Sequence, residues 1–480
     1  MSSNIATGST LTLPSYIAGK PVTGGTLLEV HNPYTTSLVG TVSMISAGDL
    51  EDAVNATTGS QEPLARYQRF EILDTARTLL DERADEFAGL ICAEAGLCMR
   101  ETRYEVGRTR DVLQFAGMEA LKDDGQVFSC DVSPQGKARK IITVREPVRL
   151  MAAITPFNHP LNQVAHKLAP AVAAGVPVIL KPSEKTPLSA IRFTELLYEA
   201  GLPQHMLSCI MGRIDDIVTP LIAHEDVELV SFTGSAEIGK SLASIAGYKK
   251  LCLELGGNSP LLIMEDADLE MAVTLAAEGC FRNAGQRCTA VKRLLVHEQV
   301  LDAFTEAFVS RAAEYTCGDP ASEDTVVGTV INEDAAILLV SRIEEAVTRG
   351  ARVLHGGTRE GALLTPTVIA DVPRDAEMVV KESFGPLAPI LPVTGIDDAI
   401  ALANQSDFGL ACGVVTSSLD HAMKAVRGIR TGTVNVNQVP GYRIECSPFG
   451  GVKDSGLGIK EGVIEAMKYM TNIKTFSLPW

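Results

Sequence analysis

Between about Val148 and Gly257, short runs that are apolar at nearly every position alternate with longer amphipathic ones. A strand needs apolar side chains on both faces only where both faces are covered, as in a parallel sheet layered between helices. "VRLMAAITPF", "VPVILKPS", "MLSCIMG", "VELVSFTGS" and "KKLCLELGG" therefore predict strands, and "LNQVAHKLAPAVAAG", "TPLSAIRFTELLYEAG", "DIVTPLIAHE" and "AEIGKSLASIAG" the segments that connect them. In the second connection Thr186 is placed to cap the helix, Pro187 to take its first position and Gly201 to end it. The alternation predicts a doubly wound α/β domain.

A second α/β stretch runs from about Asn258 to Val439, with helical patterns such as "ADLEMAVTLAAEGCFRNAGQ" and "DAAILLVSRIEEAVTRGA". Two pieces stand outside both: "VFSCDVSPQGKARKIITVR" and the tail "TNIKTFSLPW" are extended in character. Exposed strands leave unpaired edges that proteins cover, so these pieces are expected to pair with each other or with another subunit.

Composition narrows the function classes. A chain of 480 residues has room for several domains of roughly 100–200 residues each. With 42 basic against 59 acidic residues, a net charge of −17 and no basic block, small-molecule partners are expected and neither nucleic acid nor a membrane surface. No span reaches the ~18 apolar residues of a membrane helix; "LAPAVAAGVPVIL" comes nearest and is interrupted by Gly175 and Pro177. The opening "MSSNIATGSTLTLPSY" lacks the basic start and apolar run of a secretory leader. Ten irregularly spaced cysteines without a CxxC pair predict free thiols in a reduced, cytoplasmic setting. His159 and His166 have no cysteine partners at zinc spacing, and no metal is expected.

The candidate chemistry begins where "VELVSFTGSAEIGK" runs from a strand through Gly234 and Ser235 into a helix. The free amides of that helix start suit a phosphate, although a plain strand-to-helix turn fits the pattern equally. In "VILKPSEK", Lys181 and Glu184 follow a strand at its carboxyl end, where open α/β sheets bind ligands. Glu184 there suits ribose hydroxyls and opposes a 2′-phosphate; a solvated loop is the plainer alternative. In "NAGQRCTAVKR", Cys288 follows Arg287, a cation able to lower a thiol pKa from about 8.5, whereas an isolated cysteine is usually a small buried apolar residue.

Taken together, "ITPFNHP", "ILKPSEKTP", "GLP", "SFTGS", "LELGGNSP", "NAGQRCT", "KESFGP", "LACGV" and "PFGGVKDSG", with "YIAGKPV" and "HNPYTT" before them, resemble the NAD(P)-dependent aldehyde dehydrogenases in order and spacing over nearly the whole chain. The resemblance implies that family's α/β fold: a Rossmann-like cofactor domain (1–122, 146–255 and 440–466), a catalytic domain (256–439) and a small β oligomerisation arm (123–145 and 467–480) in a homodimer or homotetramer. It further implies Cys288 as nucleophile, Asn158 with the Cys288 N–H as oxyanion hole, and Glu254 as the base that hydrolyses a thioester. Relatives that acylate coenzyme A typically lack this glutamate, so a free acid is the implied product. Implied for the cofactor, NAD, are Lys181 and Glu184 at the adenosine ribose, Gly234 and Ser235 at the pyrophosphate, Glu382 at the nicotinamide ribose and Phe384 at the nicotinamide. Thr155, Ser183, Phe232, Gly212 and Leu255 are expected around the same cleft. Arg149 stands where many relatives carry glycine, and its role is not assigned.

For the substrate, Arg108 in "YEVGRTR", Arg287, and Arg443 in "VPGYRIECSPFGG" fall where the family builds its substrate tunnel. With His159 they suggest an anion clamp, since guanidinium grips phosphate-like groups bidentately and two unit charges 4 Å apart gain about 4 kcal/mol at an effective dielectric of 20. Arg287 is expected to serve twice, gripping the anion and raising the thiolate fraction of Cys288. The chain resembles the phosphonoacetaldehyde dehydrogenases through "TPFNHPLNQVAHK", "GYR", His159 and Glu184. Non-phosphorylating glyceraldehyde-3-phosphate dehydrogenases are the second resemblance, and lactaldehyde and succinate-semialdehyde oxidisers the third. A relative that keeps the fold without turnover would show decay of Cys288, Glu254 or Asn158; all three are present.

Overall fold

The computed structural model describes residues 11–59, 62–458 and 461–480; the part of the leader reading that concerns residues 1–10 lies outside them. Five parallel strands occur where the apolar runs predict them: Met151–Ile154, Val178–Lys181, Leu207–Cys209, Leu229–Thr233 and Lys250–Glu254. Across the sheet their order is 250–254, 229–233, 151–154, 178–181 and 207–209, extended by the short antiparallel strands Ser15–Ile17 and Lys20–Val22. The chain therefore starts in the middle at 151–154 and winds outward in both directions, the doubly wound arrangement. The reason for the unbroken apolar runs is visible in the packing. Met151, Ala153, Val178 and Leu180 point into one core, while Leu150, Ala152, Ile154 and Ile179 point into another on the opposite face.

The helix Leu188–Glu199 corrects one expectation. Pro187, not Thr186, is its N-cap, and Thr186 makes no capping bond. The amides of Leu188 and Ser189 instead donate to the buried carboxylate of Glu94, at 2.8 and 3.0 Å, from the helix Ala84–Ala95. One carboxyl group thus satisfies two of the helix's leading amides at once. Gly201 does close the segment, at φ +95°.

A second seven-stranded sheet, in the order 352–355, 367–370, 387–393, 291–297, 259–263, 411–415 and 433–436, surrounds a core of its own. All its pairings are parallel except that of Arg352–His355 with Thr367–Ala370. The two extended pieces pair with each other: Thr471–Pro479 runs antiparallel to Arg139–Pro147, whose other edge takes Val127–Ser129. No helix among the described residues is long and apolar enough to cross a membrane. Arg149 forms a surface ion pair with Asp226 at 2.6 Å, its side chain 57% exposed, a contact of at most about 1 kcal/mol.

Candidate active site

Cys288 follows the helix Leu269–Phe281 through a tight reversal in which Asn283, Ala284 and Gly285 all adopt left-handed backbone, at φ +58°, +51° and +68°. Asn and Gly accept that region; for alanine it costs roughly 1–2 kcal/mol. Side-chain bonds hold the turn in place. Asn283 Nδ2 donates to the Asn158 carbonyl at 2.9 Å, and Asn158 Nδ2 donates to the Gln286 carbonyl at 2.8 Å. The Gln286 amide in turn accepts from Ile331 N–H at 2.8 Å. Asn158 is thus fixed against the segment that carries the sulfur.

The glycines of "LELGG" explain how the other groups reach this segment. Glu254 ends its strand in a buried position. A Cβ on Gly257 would lie 2.2 Å from the Cys288 carbonyl oxygen, and one on Gly256 would lie 2.3 Å from a Glu382 carboxylate oxygen. At Gly257 the facing atom is backbone, so only glycine allows that approach. Gly257 N–H donates to Glu382 Oε1 at 2.9 Å. Residues from three distant parts of the chain, Glu254, Cys288 and Glu382, therefore meet at one junction. Phe384, two residues on, stands edge-on to Phe157 with ring centroids 5.8 Å apart.

The thiol opens into a cavity of about 260 Å³ lined by, among others, Arg108, His159, Arg282, Arg287 and Arg443. These cations are not equivalent. Arg108 is engaged by Glu445, through Nε at 2.5 Å and Nη2 at 3.2 Å, and Glu445 also accepts from His166 at 2.6 Å. His166 and Arg108 together hold the Glu445 carboxyl far below its ordinary range, against the opposing effect of burial. Arg287 donates to the carbonyls of Glu278 and Gly279, both at 2.8 Å, at the end of the helix that precedes it. Arg282 is clamped by Glu101 at 2.8 Å and lies over Tyr104. Arg443 stacks on Phe449, 3.8 Å from the ring centre, and has no ion-pair partner among the described residues. His159 approaches Glu105 at 3.3 Å, whose other oxygen accepts the amides of Leu161 and Asn162.

Two expectations change here. Burial pushes the Cys288 thiol up to about 11, and of the cations that oppose this the stronger is Arg443, ahead of Arg287. Arg287 is thus first a helix-terminus cap and only second a partner of the thiol. Burial also lowers Arg287 itself to about 10. Arg108 lines the cavity with its charge already matched by Glu445.

Apart from Glu382 and Phe384, the expected cofactor residues sit at or just past the carboxyl ends of the first sheet's strands. Thr155 directly follows, and Thr233 ends, one of the two strands that flank the reversal of winding, and their hydroxyls are buried without a hydrogen-bond partner. Unpaired buried hydroxyls are costly unless a ligand meets them, so this crevice fits a polar cofactor. Lys181 pairs with Glu184, and Ser183 Oγ accepts from Lys185 N–H at 3.2 Å. Gly234 N–H bonds the Glu254 carbonyl at 3.0 Å, and Phe232 fills the space where a Gly234 side chain would stand. Ser235 caps the helix Ala236–Ala246, accepting from Ile238 N–H at 3.3 Å. Leu255 covers Gly239. Gly212, packed on Ile217, follows the strand at the opposite edge of the five, so it and Leu255 flank the crevice from two sides.

Sequence reasoning missed Glu445, Glu101, Arg282 and Lys292. Glu445 stands two residues from Arg443 in the quoted "GYRIEC", a visible signal; Glu101 and Arg282 are 181 positions apart and only folding pairs them.

The aldehyde dehydrogenase family matches residues 21–476. The 3-sulfolactaldehyde dehydrogenase of Priestia aryabhattai is 39% identical over 457 residues, 95% of this chain and 96% of its own length. The crystal structure of aldehyde dehydrogenase 21 from Physcomitrella patens, in complex with the reaction product succinate, superimposes with a TM-score of 0.94 at 34% identity, covering 98% of this chain and 99% of that one. An NADP-dependent glyceraldehyde-3-phosphate dehydrogenase from Bacillus halodurans, complexed with NADP, gives 0.95 at 31% identity, with 98% and 100% covered. The chain belongs to the aldehyde dehydrogenase family.

Proposed function

We propose that the protein oxidises a short aldehyde with an anionic tail to its free acid, using NAD, and that phosphonoacetaldehyde is the substrate and phosphonoacetate the product. The observation that carries the reading is the junction at Gly256 and Gly257, where Cys288, Glu254 and Glu382 converge beside a cavity that holds an unpaired arginine. The sulfolactaldehyde relative, whose substrate also ends in an anion, supports the substrate class.

Deprotonated Cys288 Sγ bonds the aldehyde carbon, and the resulting oxyanion takes the second Asn158 Nδ2 hydrogen and the Cys288 N–H. Loss of one such donor costs about 10²–10³ in rate. Thr155, Lys181, Ser183, Glu184, Phe232, Gly234, Ser235, Glu382 and Phe384 would hold the dinucleotide, which when bound supplies the hydride acceptor that turns this adduct into a thioester. Glu254 then takes a proton from water, whose oxygen displaces the sulfur and releases the acid. Arg443 and His159 receive the anionic tail, with Arg108 and Arg287 walling the pocket. Glu184 opposes a 2′-phosphate and favours NAD over NADP. Residues 123–145 and 467–480 form the arm of a homo-oligomer, and ten free thiols suit a reduced cytoplasm.

The test compares kcat/KM for phosphonoacetaldehyde, 3-sulfolactaldehyde, glyceraldehyde 3-phosphate, lactaldehyde and succinate semialdehyde with each dinucleotide, with Cys288→Ala as the blank. Phosphonoacetaldehyde with NAD is expected to lead by tenfold or more. Equal rates with uncharged lactaldehyde would remove the anionic-tail reading, and a higher value with NADP the cofactor preference.

A further inference from the structure

Lys292 has no role in the mechanism above, yet its side chain is buried at the heart of the site. It is the second residue of the strand Val291–His297, is 1% exposed and faces two segments at once. On one side Nζ donates to the Gly285 carbonyl at 2.5 Å, the last of the three left-handed residues that lead to Cys288. On the other it lies 5.3 Å from the centre of the Phe384 ring, and its strongest charged attraction is to Glu382. The two segments also touch directly: a Cβ on Gly285 would lie 2.1 Å from the Gly385 carbonyl oxygen. A buried ammonium is costly in a low-dielectric site. Here a carbonyl, an aromatic face and a carboxylate share it, and all three belong to the two segments that must be held in register.

We propose that Lys292 is a positioning residue that locks the left-handed turn before Cys288 and ties it to the Glu382 and Phe384 segment, so that a dinucleotide bound there acts on the nucleophile through this side chain. This inference rests on the reading of Glu382 and Phe384 as nicotinamide-side residues. The Gly285 carbonyl fixes the turn, the turn fixes the Gln286 carbonyl that orients Asn158, and Cys288 follows two residues later. A ligand that draws Glu382 toward itself changes what Lys292 can bond on the other side. Of the influences on the amine, burial first and then Arg287 lower it to about 8, while Glu382, Cys280 and Cys288, which also face it, act the other way. The cation therefore weakens as pH rises through about 8.

The experiment measures the rate of Cys288 alkylation by iodoacetamide, read by mass spectrometry, without and with saturating NAD, in the wild type, Lys292→Met and Lys292→Arg. Wild type is expected to change rate at least threefold on adding NAD. In Lys292→Met that ratio falls to near one, and the rate without NAD shifts at least fivefold. Lys292→Arg, which keeps the cation, recovers at least half of the NAD effect and also decides the matter should Lys292→Met fail to fold. A wild-type NAD ratio retained in Lys292→Met, or lost in a well-folded Lys292→Arg, overturns the proposal. Alkylation needs no aldehyde, so a wild type that shows the NAD effect but oxidises no aldehyde would overturn the functional reading and leave this one standing.

Discussion

Arg443 and Arg108 line one cavity with the same functional group and have opposite consequences when removed. Arg443 is stacked on Phe449 without a carboxylate partner, so Arg443→Ala is expected to raise KM for an anionic aldehyde at least tenfold and to change KM for propionaldehyde less than twofold in steady-state assays. Arg108 balances the buried Glu445, and removing it leaves that carboxylate with the His166 hydrogen bond alone, an under-compensated buried charge of the kind that costs about 3–5 kcal/mol. Arg108→Ala is therefore expected to lower the melting temperature clearly, whatever it does to KM. The thiol gives a third prediction at this scale. With Cys288 pushed up to about 11, little thiolate is present at neutral pH without ligands, and alkylation should climb steadily from pH 7 toward 11. Removing Arg443, the cation that most favours the thiolate, moves that climb to higher pH; a plateau below pH 8 in the wild type would contradict the burial argument. Cys288, Asn158 and Glu254 were legible because each sits in a short motif. The division of labour among the arginines was not, because it depends on Glu445, Glu101 and two helix-end carbonyls that local sequence does not reveal as partners.

The strands were legible to within a few residues because a parallel sheet covered on both faces writes itself as unbroken apolar runs. Helix ends were read less well, and Leu188–Glu199 shows why. Its local pattern points to Thr186 as the cap, but Glu94, on another helix, reaches both leading amides with its carboxyl oxygens. That arrangement has a measurable pH dependence. Burial raises the Glu94 carboxyl from its ordinary 4.5 to about 7. The folded protein thus keeps a proton that the unfolded chain releases, so this group's contribution is present below pH 4.5 and is lost as pH rises through about 7. The full span is about 3 kcal/mol. Glu94→Gln retains an acceptor for the helix amides but does not titrate. Its melting temperature is expected to fall less between pH 5 and 8 than that of the wild type; parallel pH profiles for the two proteins would refute the assignment.

At the scale of the whole molecule, the sheet formed by Val127–Ser129, Arg139–Pro147 and Thr471–Pro479 shows how far an extended sequence can be read. Its two pieces were recognisable as strands, but their pairing register, which decides what each face presents, emerges only when they meet. The register sets Phe476 opposite Ile142 and Ile142 opposite Val127, so these three line up across one face, with Val144 and Leu478 at neighbouring positions on it. Phe476 is 41% exposed and Val127 65%. An aligned apolar row of this kind on a three-stranded sheet is the surface a second subunit would cover. Introducing charge at both ends of the row removes the gain from that burial without breaking a backbone pair. Val127→Glu combined with Phe476→Glu is therefore expected to reduce the sedimentation-velocity mass toward that of a single chain, with the far-ultraviolet circular dichroism unchanged. If the double variant sediments as the wild type does, the row is not a subunit contact.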